Sequence, residues 1–176
     1  MKIYFDIGNT NIKTGIYEDT LVSRFMVKTH QTYSGFLSSF KKEFLGTNID
    51  LNSITDCLYS SVVPSINALF ESAILSLLPN VKIRKMDETY LKHFSINVDD
   101  PLEIGHDLLI DVYGAINKYS YPTLIVDLGT ANKVLFIDKN GMFSSVVIAP
   151  GIEMGTNALA DKTDLLPNNF NYHFIR

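Results

Sequence analysis

The residues best suited to phosphate chemistry lie in a polar turn near the N-terminus, within residues 3–15 (IYFDIGNTNIKTG). An apolar run leads into Asp6, and Gly8, Asn9 and Thr10 follow, which predicts a buried strand, a short turn and a returning strand. Glycine lets the backbone approach a ligand and offer N–H groups to phosphate oxygens. Asn9 and Thr10 add side-chain donors, and Asp6 is placed to hold a hydrated divalent cation. A hairpin turn without a ligand explains this motif alone about equally well.

The same pattern of residue types occurs a second time, near residue 127. Residues 124–131 read LIVDLGTA, so an apolar run again leads into an aspartate, Asp127, followed by Gly129 and Thr130. A repeat over so long an interval indicates two related lobes rather than a short-period solenoid. Together, the two turns favour phosphate binding more strongly than either turn does alone.

A third group of polar residues precedes an amphipathic helix predicted over residues 108–119. Gly105 and Asp107 lie at its N-terminal end, where exposed N–H groups and the helix dipole favour a negative charge. Taken alone, Asp107 is better explained as an N-terminal cap and His106 as a solvated loop histidine. The sequence has no His/Cys/Asp cluster with metal-ligand spacing and no serine-centred nucleophile motif.

The composition narrows the classes of function. The 176 residues are 46% hydrophobic and 19% charged, as in ordinary soluble globular proteins with one core or two small ones. A net charge of −4 gives no basic footprint for nucleic acid. The single cysteine, Cys57, fits a reducing compartment, and no apolar run has membrane-spanning length. We therefore expect a cytoplasmic protein with neither a nucleic-acid nor a membrane partner, and no signal peptide.

The elements predicted around the first turn follow the order β-β-β-α-β-α-β of a ribonuclease-H-like lobe. After the hairpin, periodicity predicts a strand over 21–28, a helix over 32–45 stopped by Gly46, a strand over 54–63, a helix over 66–78 capped by Ser65, and a strand over 81–84. Residues 85–100 are predicted to form a connecting loop.

The order β-β-β-α then repeats from residue 123. A strand over 133–138, a turn at Asn140-Gly141, a strand over 142–149 and a helix over 152–160 follow the second turn. The predicted fold is α/β, with two ribonuclease-H-like lobes of the actin-like ATPase superfamily, the second incomplete, and domains at 1–120 and 121–176. An uncovered strand edge in that second lobe favours a dimer. The 108–119 helix offers Leu109, Val112 and Ile116 either for the interface or for an intramolecular core.

Five motifs, in register, resemble those of type III pantothenate kinases. They are DIGNTN at Asp6, SSVVP at Ser60, DP-x-x-x-G-x-D at Asp100, DLGTA at Asp127 and IAPGIEM at Ile148. The resemblance implies ATP-dependent phosphorylation of pantothenate to 4'-phosphopantothenate, the first step of coenzyme A biosynthesis. It also implies a homodimer that uses Mg²⁺ and a monovalent cation, K⁺ or NH₄⁺.

The resemblance assigns roles to three groups of residues. The ATP-binding residues would be Asp6, Ile7, Gly8, Asn9, Thr10, Asn11, Ile12, Lys13 and Thr130. The pantothenate site would comprise Gly105, His106, Asp107 and Leu108, with Asp107 as the catalytic base that takes the proton of the substrate hydroxyl. The metal-binding residues would be Asp127, for the monovalent cation, and Asp6.

Several positions depart from the family pattern. Leu108 stands where the family has an arginine, and Lys133 and Leu135 replace a threonine and an aspartate; Val98, Ser144 and Ser145 also differ. The family's closing third has no counterpart in these residues. The main alternative is therefore a non-catalytic nucleotide-binding or regulatory relative of the same fold. A generic sugar or acetate kinase is a weaker alternative, because the SSVVP and G-x-D elements have no place in it.

Overall fold

The computed structural model describes residues 1–87, 96 and 104–162. Its strands are β1 (Lys2–Ile7), β2 (Asn11–Tyr17), β3 (Leu21–Lys28), β4 (Asp56–Ser61), β5 (Lys82–Lys85), β6 (Thr123–Leu128), β7 (Ala131–Ile137) and β8 (Phe143–Pro150). Its α-helices are α1 (Tyr33–Thr47), α2 (Asn67–Leu77), α3 (His106–Lys118) and α4 (Ile152–Lys162), and short 3-10 turns span Leu51–Ser53 and Pro64–Ile66. None of these helices is both long and apolar enough to cross a membrane.

The first sheet has five strands in the order β3-β2-β1-β4-β5. Strand β1 lies between β2, to which it is antiparallel, and β4, to which it is parallel. The predicted element order β-β-β-α-β-α-β is confirmed. Because β1 has neighbours on both sides, the turn at its end starts from a well-supported position.

Phenylalanines join the sheet to its helices. Phe36, Phe40 and Phe44 are spaced one turn apart on α1 and are all buried. The ring of Phe40 lies edge-on to Phe5 of β1 at 5.7 Å and to Phe70 of α2 at 6.1 Å. Each buried ring contributes roughly 1.5–3 kcal/mol to the stability of the fold. This core fixes the strand that leads into the first polar turn.

The helix boundaries differ from the predicted ones. Helix α1 runs through Gly46 and ends where Asn48 adopts a left-handed conformation with a φ of 54°. Asparagine tolerates that conformation because its short polar side chain bonds locally. Helix α2 follows a 3-10 turn, and its N-cap residue, Ile66, makes no side-chain cap bond, so the predicted cap at Ser65 is wrong. Helix α3 begins at His106, two residues earlier than predicted.

The second sheet is an antiparallel meander in the order β6-β7-β8, and α4 follows it. This confirms the predicted β-β-β-α order. The β7–β8 turn includes Gly141, whose φ of 78° suits glycine. In the same turn, Asp138 accepts hydrogen bonds from the N–H groups of Met142 and Asn140, at 2.9 and 2.8 Å. The bond from Met142 is the main reason why the pKa of the Asp138 carboxyl is lowered.

The chain forms two compact units that divide within α3. Residues up to Ile110 in this helix belong to the first unit and residues from Asp111 onward to the second. A domain boundary after residue 120 stays a prediction. Leu109 and Val112 are buried within the chain, which favours the core over the interface for both. Val98, Asp100 and most of the predicted 85–100 loop lie outside the described residues.

Candidate functional site

The first polar turn joins β1 to β2, and hydrogen bonds from Thr29 stabilise it. The N–H of Gly8 donates to the carbonyl of Asn11 at 3.1 Å. Buried Thr29 donates twice, from its backbone N–H to the carbonyl of Thr10 at 3.1 Å and from its hydroxyl to the carbonyl of Gly8 at 2.6 Å. The Gly8 N–H therefore closes the turn. The sequence predicts that backbone N–H groups here face phosphate oxygens, but this one is already bonded. A Cβ at position 8 would lie 3.3 Å from the Asn11 carbonyl oxygen, so glycine suits this position, and Asn9 and Thr10 are exposed beside it.

Asp6 and Lys13 face each other across the base of this turn. They are register partners on β1 and β2, with Nζ of Lys13 3.7 Å from a carboxylate oxygen of Asp6. Their side chains are 67% (Lys13) and 46% (Asp6) exposed, so water screens the pair and it stabilises the fold little. The lysine is therefore free to exchange this partner for a phosphate oxygen, and the carboxylate can accept a cation.

Ser60 lies on the other side of Asp6, as its register partner in β4. It is buried, and its hydroxyl has no hydrogen-bond partner within the described part of the chain. Buried polar groups are usually paired, and an unpaired one calls for an explanation such as an absent ligand or water. Ser60 begins the SSVVP motif, but the sequence predicts no role for it in a site.

The second polar turn joins β6 to β7 and is supported by Gly151, just after β8. The Gly151 N–H donates to the Thr130 carbonyl at 3.0 Å. A Cβ at position 151 would lie 2.8 Å from the Thr130 carbonyl carbon and closer still to the Gly129 oxygen, so only glycine fits. Thr29 and Gly151 thus play the same part, each supporting a turn from just beyond the third strand. The sequence showed no sign of this contact, although Gly151 lies in the IAPGIEM motif.

Asp127 and Lys133 are the counterparts of Asp6 and Lys13 at the second turn. They are register partners on β6 and β7, and Nζ of Lys133 lies 2.7 Å from a carboxylate oxygen of Asp127. Their side chains are 17% (Lys133) and 26% (Asp127) exposed. The carboxylate to which the family resemblance assigns a monovalent cation therefore already binds an ammonium group. The residues present do not fit an additional free cation at this place.

The residues present do fit a magnesium ion at Asp6. Mg²⁺ keeps several waters and is commonly held by one or two carboxylates together with substrate phosphates. The half-exposed carboxylate of Asp6 suits that arrangement. Among the described residues, no group of three or more acidic, histidine or cysteine side chains could form a complete protein metal site. Phosphates would have to complete the coordination.

The start of α3 gathers the residues assigned to pantothenate. The carbonyl of Gly105 accepts from the N–H groups of Leu108 and Leu109 at 3.1 and 3.3 Å, which makes Gly105 the N-cap. Asp107 therefore lies inside the first turn, and the alternative that Asp107 is the cap is wrong. One of its carboxylate oxygens lies 2.5 Å from where a Cβ of residue 105 would be, so a side chain at that position would require the Asp107 carboxylate to move. Leu108 is 5% exposed and packs in the interior, whereas Asp107 and His106 are half-buried.

The predicted site residues are thus distributed over three local clusters. Residues 6–13 and 105–108 belong to the first unit, and Asp127 and Thr130 belong to the second. Each cluster combines a carboxylate with either a polar turn or a helix N-terminus. Such groups can bind phosphates, hold a cation and accept a proton.

Comparison with known proteins identifies a family. The sequence model of the type III pantothenate kinase family matches residues 2–171. The type III pantothenate kinase of Acholeplasma laidlawii is 37% identical over 174 residues, covering 94% of this chain and 65% of that protein. The enzyme of the same name from Listeria monocytogenes is 31% identical over 170 residues, with 95% and 65% coverage. The chain therefore spans somewhat less than two thirds of the length of these relatives.

Solved structures agree on the fold. The activator of 2-hydroxyisocaproyl-CoA dehydratase from Clostridium difficile, determined with bound ADPNP, has a TM-score of 0.51 at 15% identity over 91% of this chain and 51% of that chain. A candidate 2-dehydro-3-deoxygalactonokinase from Sinorhizobium meliloti has a TM-score of 0.56 at 9% identity, with 94% and 58% coverage. At such low identities the likeness concerns the fold alone. It confirms the predicted α/β fold.

Proposed function

We propose a pantothenate kinase activity for this chain, which belongs to the type III pantothenate kinase family. The reaction would move the γ-phosphoryl group of ATP to the hydroxyl of pantothenate and yield 4'-phosphopantothenate and ADP, at the first step of coenzyme A biosynthesis. The observation that carries the proposal is the first turn. There, an exposed Asn9-Thr10 tip stands beside a loosely held Lys13 and the half-exposed carboxylate of Asp6.

In this proposal the first turn binds the phosphates of ATP. Lys13 leaves Asp6 and pairs with a phosphate oxygen, and the side chains of Asn9 and Thr10 donate hydrogen bonds. Asp6 would hold Mg²⁺, and that ion would supply positive charge to balance the phosphates. In this proposal the buried hydroxyl of Ser60, whose residue is the register partner of Asp6, would hydrogen-bond a water or ligand atom beside that carboxylate. The family resemblance also assigns an ATP contact to Thr130, in the second turn.

Asp107 is the proposed general base. Its carboxylate takes the proton of the pantothenate hydroxyl while that oxygen attacks the phosphorus atom, and the proton then resides on Asp107. Gly105 and His106 line the same helix N-terminus. Leu108 offers the substrate carboxylate no charged partner. We therefore expect weak pantothenate binding, seen as a high KM rather than as a loss of ATP affinity.

The setting of the reaction is also a proposal. We infer that the chain works in the cytoplasm and as a homodimer. The buried free thiol of Cys57 is compatible with a reducing compartment. Solvent-exposed Leu124, Val126 and Leu128 on β6, at the edge of the second sheet, support association with a second copy.

A nucleotide-binding or regulatory protein without kinase activity is the second candidate. One observation favours it: the position where the family resemblance expects an arginine holds Leu108, which is buried. A protein of this kind would keep the phosphate-binding turns and lose the anchor for the pantothenate carboxylate.

A coupled assay of ADP release, together with detection of phosphopantothenate by mass spectrometry, separates the two candidates. The kinase requires that ADP release depend on pantothenate and that product mass appear in proportion. Binding of ATP with no phosphopantothenate at any pantothenate concentration would favour the regulatory candidate. Absence of both binding and product would contradict both.

A further inference from the structure

We propose that the ammonium group of Lys133 replaces a monovalent cation at the second turn, so that this chain functions without K⁺ or NH₄⁺. The consequence of this replacement for catalysis rests on the proposed function. The ion pair itself does not, and it can be tested separately. An ammonium group and K⁺ carry the same charge and have similar radii, so one can occupy the place of the other beside a carboxylate.

The geometry is that of a formed and specific ion pair. The 2.7 Å between Nζ of Lys133 and the Asp127 oxygen is the length of a charge-assisted hydrogen bond, about 2.7–2.9 Å. The two residues are register partners, so the sheet itself holds them opposite each other. With most of both side chains covered, water screens the pair only weakly. A free cation entering here would meet a neutralised carboxylate and a like charge.

The first turn provides an internal comparison. Asp6 and Lys13 occupy the same register positions, yet their atoms are 3.7 Å apart and their side chains are far more exposed. A lysine held so loosely is available to a ligand, whereas Lys133 is committed to Asp127. The same pair of residue types thus serves two purposes, phosphate binding at the first turn and internal charge balance at the second.

The surroundings of Lys133 also favour a role in internal charge balance rather than in ligand binding. Leu135, two residues further on β7 and on the same face, is fully buried and contributes no charge. The Thr130 carbonyl is already bonded to the Gly151 N–H. The turn next to the ion pair is therefore closed by backbone contacts and requires no ion to shape it.

The test compares Lys133→Thr with Lys139→Thr, which removes the same charge from the exposed β7–β8 turn. Thermal melting is measured at constant ionic strength in potassium chloride and in tetramethylammonium chloride, whose cation is much larger than K⁺. Binding of the non-hydrolysable analogue AMPPNP with Mg²⁺ is measured by calorimetry in both salts. We expect the parent and Lys139→Thr to give the same melting temperature and affinity in either salt.

Lys133→Thr is expected to become cation-dependent. Its melting temperature should rise with K⁺ along a saturable curve, and its affinity for AMPPNP should be about tenfold weaker in tetramethylammonium than in K⁺. If this variant does not fold, Lys133→Gln keeps most of the side-chain volume and serves in its place. A parent that responds to K⁺ as the variant does would overturn the proposal, and so would a folded variant with no melting response to K⁺. If no form binds AMPPNP, the proposed kinase function fails, while the melting data still decide the cation question.

Discussion

At the scale of single residues, Asp107 is the side chain that separates a kinase from a nucleotide-binding relative. It lies inside the first turn of α3 rather than at the cap, so Asp107→Asn keeps a polar group there and should change stability by less than about 1 kcal/mol. As the general base it should be indispensable, and turnover should fall by roughly 10²–10⁴ with little change in ATP affinity.

The matched control for this prediction is Asp111→Asn, the same substitution one turn later on α3. It should leave turnover near the parent value. Equal losses in the two variants, or a change in ATP affinity as large as the change in turnover, would point to helix packing and contradict a base at Asp107. Steady-state kinetics with both substrates varied, together with thermal melting, provide the comparison.

A second residue-scale prediction concerns Cys57. Burial, with a smaller contribution from Glu71, raises the pKa of this thiol from its ordinary value of 9.0 to about 12. Burial also raises the pKa of the neighbouring Tyr59, whose hydroxyl donates to Glu71. Because the folded state holds these protons more tightly than the unfolded chain, stability is complete below pH 9.0 and declines as the pH rises toward 12.

Urea unfolding measured at several pH values checks this pH dependence. The free energy of unfolding should fall steadily between about pH 9 and about pH 11, and it should fall less steeply in Cys57→Ala, which removes one of the two titrating groups. Native protein should also react slowly with iodoacetamide, because the thiolate is both scarce and covered. An identical slope in parent and variant would assign the pH dependence to other groups.

At the scale of elements, the first turn depends on a residue well outside it. Thr29→Val keeps the branched shape but removes the hydroxyl that donates to the Gly8 carbonyl at 2.6 Å. It should cost about 0.5–1.5 kcal/mol, because a half-buried acceptor loses its partner, and it should weaken nucleotide binding as the turn loosens. Thr14→Val is the matched control, since the buried Thr14 hydroxyl has no partner among the described residues.

We therefore expect Thr14→Val to be neutral or slightly stabilising under the same urea titration. A cost for Thr14→Val equal to that for Thr29→Val would mean that packing, not the hydrogen bond, decides both. Unchanged AMPPNP affinity in Thr29→Val would show that the turn keeps its shape without this support.

The local elements of this fold can be predicted from the sequence, but the tertiary contacts that support its turns cannot. Both meanders and both turns were predicted, because alternation and Asp-x-Gly patterns are local signals. The supports of the turns, Thr29 and Gly151, follow from tertiary contacts that no local pattern marks. Helix ends were missed for a related reason. Gly46 is a plausible stop in sequence, but the next favourable left-handed position is Asn48.

The two aspartate–lysine pairs are only partly predictable from the sequence. The sequence repeat marks Asp6 and Asp127 as candidate site residues, but only the strand register places Lys13 and Lys133 opposite them. The closer pair, with 2.7 Å rather than 3.7 Å between the charged atoms, is also the pair whose side chains are less exposed. Lys133 first stood out as a departure from a family pattern. Its structural partner gives that departure a chemical meaning.

At the scale of the molecule, one face of the second sheet is apolar and open to solvent. Leu124, Val126 and Leu128 of β6 are 64%, 59% and 70% exposed, and Val147 of β8 lies in the same row across the sheet through Val134. Contiguous apolar surface of this kind marks an interaction site. Because β6 is also an edge strand of the three-stranded sheet, its backbone offers hydrogen bonds to a partner.

We predict that this face joins two copies of the chain. Val126→Lys places a charge in the middle of it and should shift the protein toward monomer in sedimentation velocity at micromolar concentration. Val22→Lys makes the same change at an exposed strand position of the first unit and should leave the parent's association unchanged. A parent that sediments as a monodisperse monomer, or equal effects of the two lysines, would rule out this face as the contact between copies.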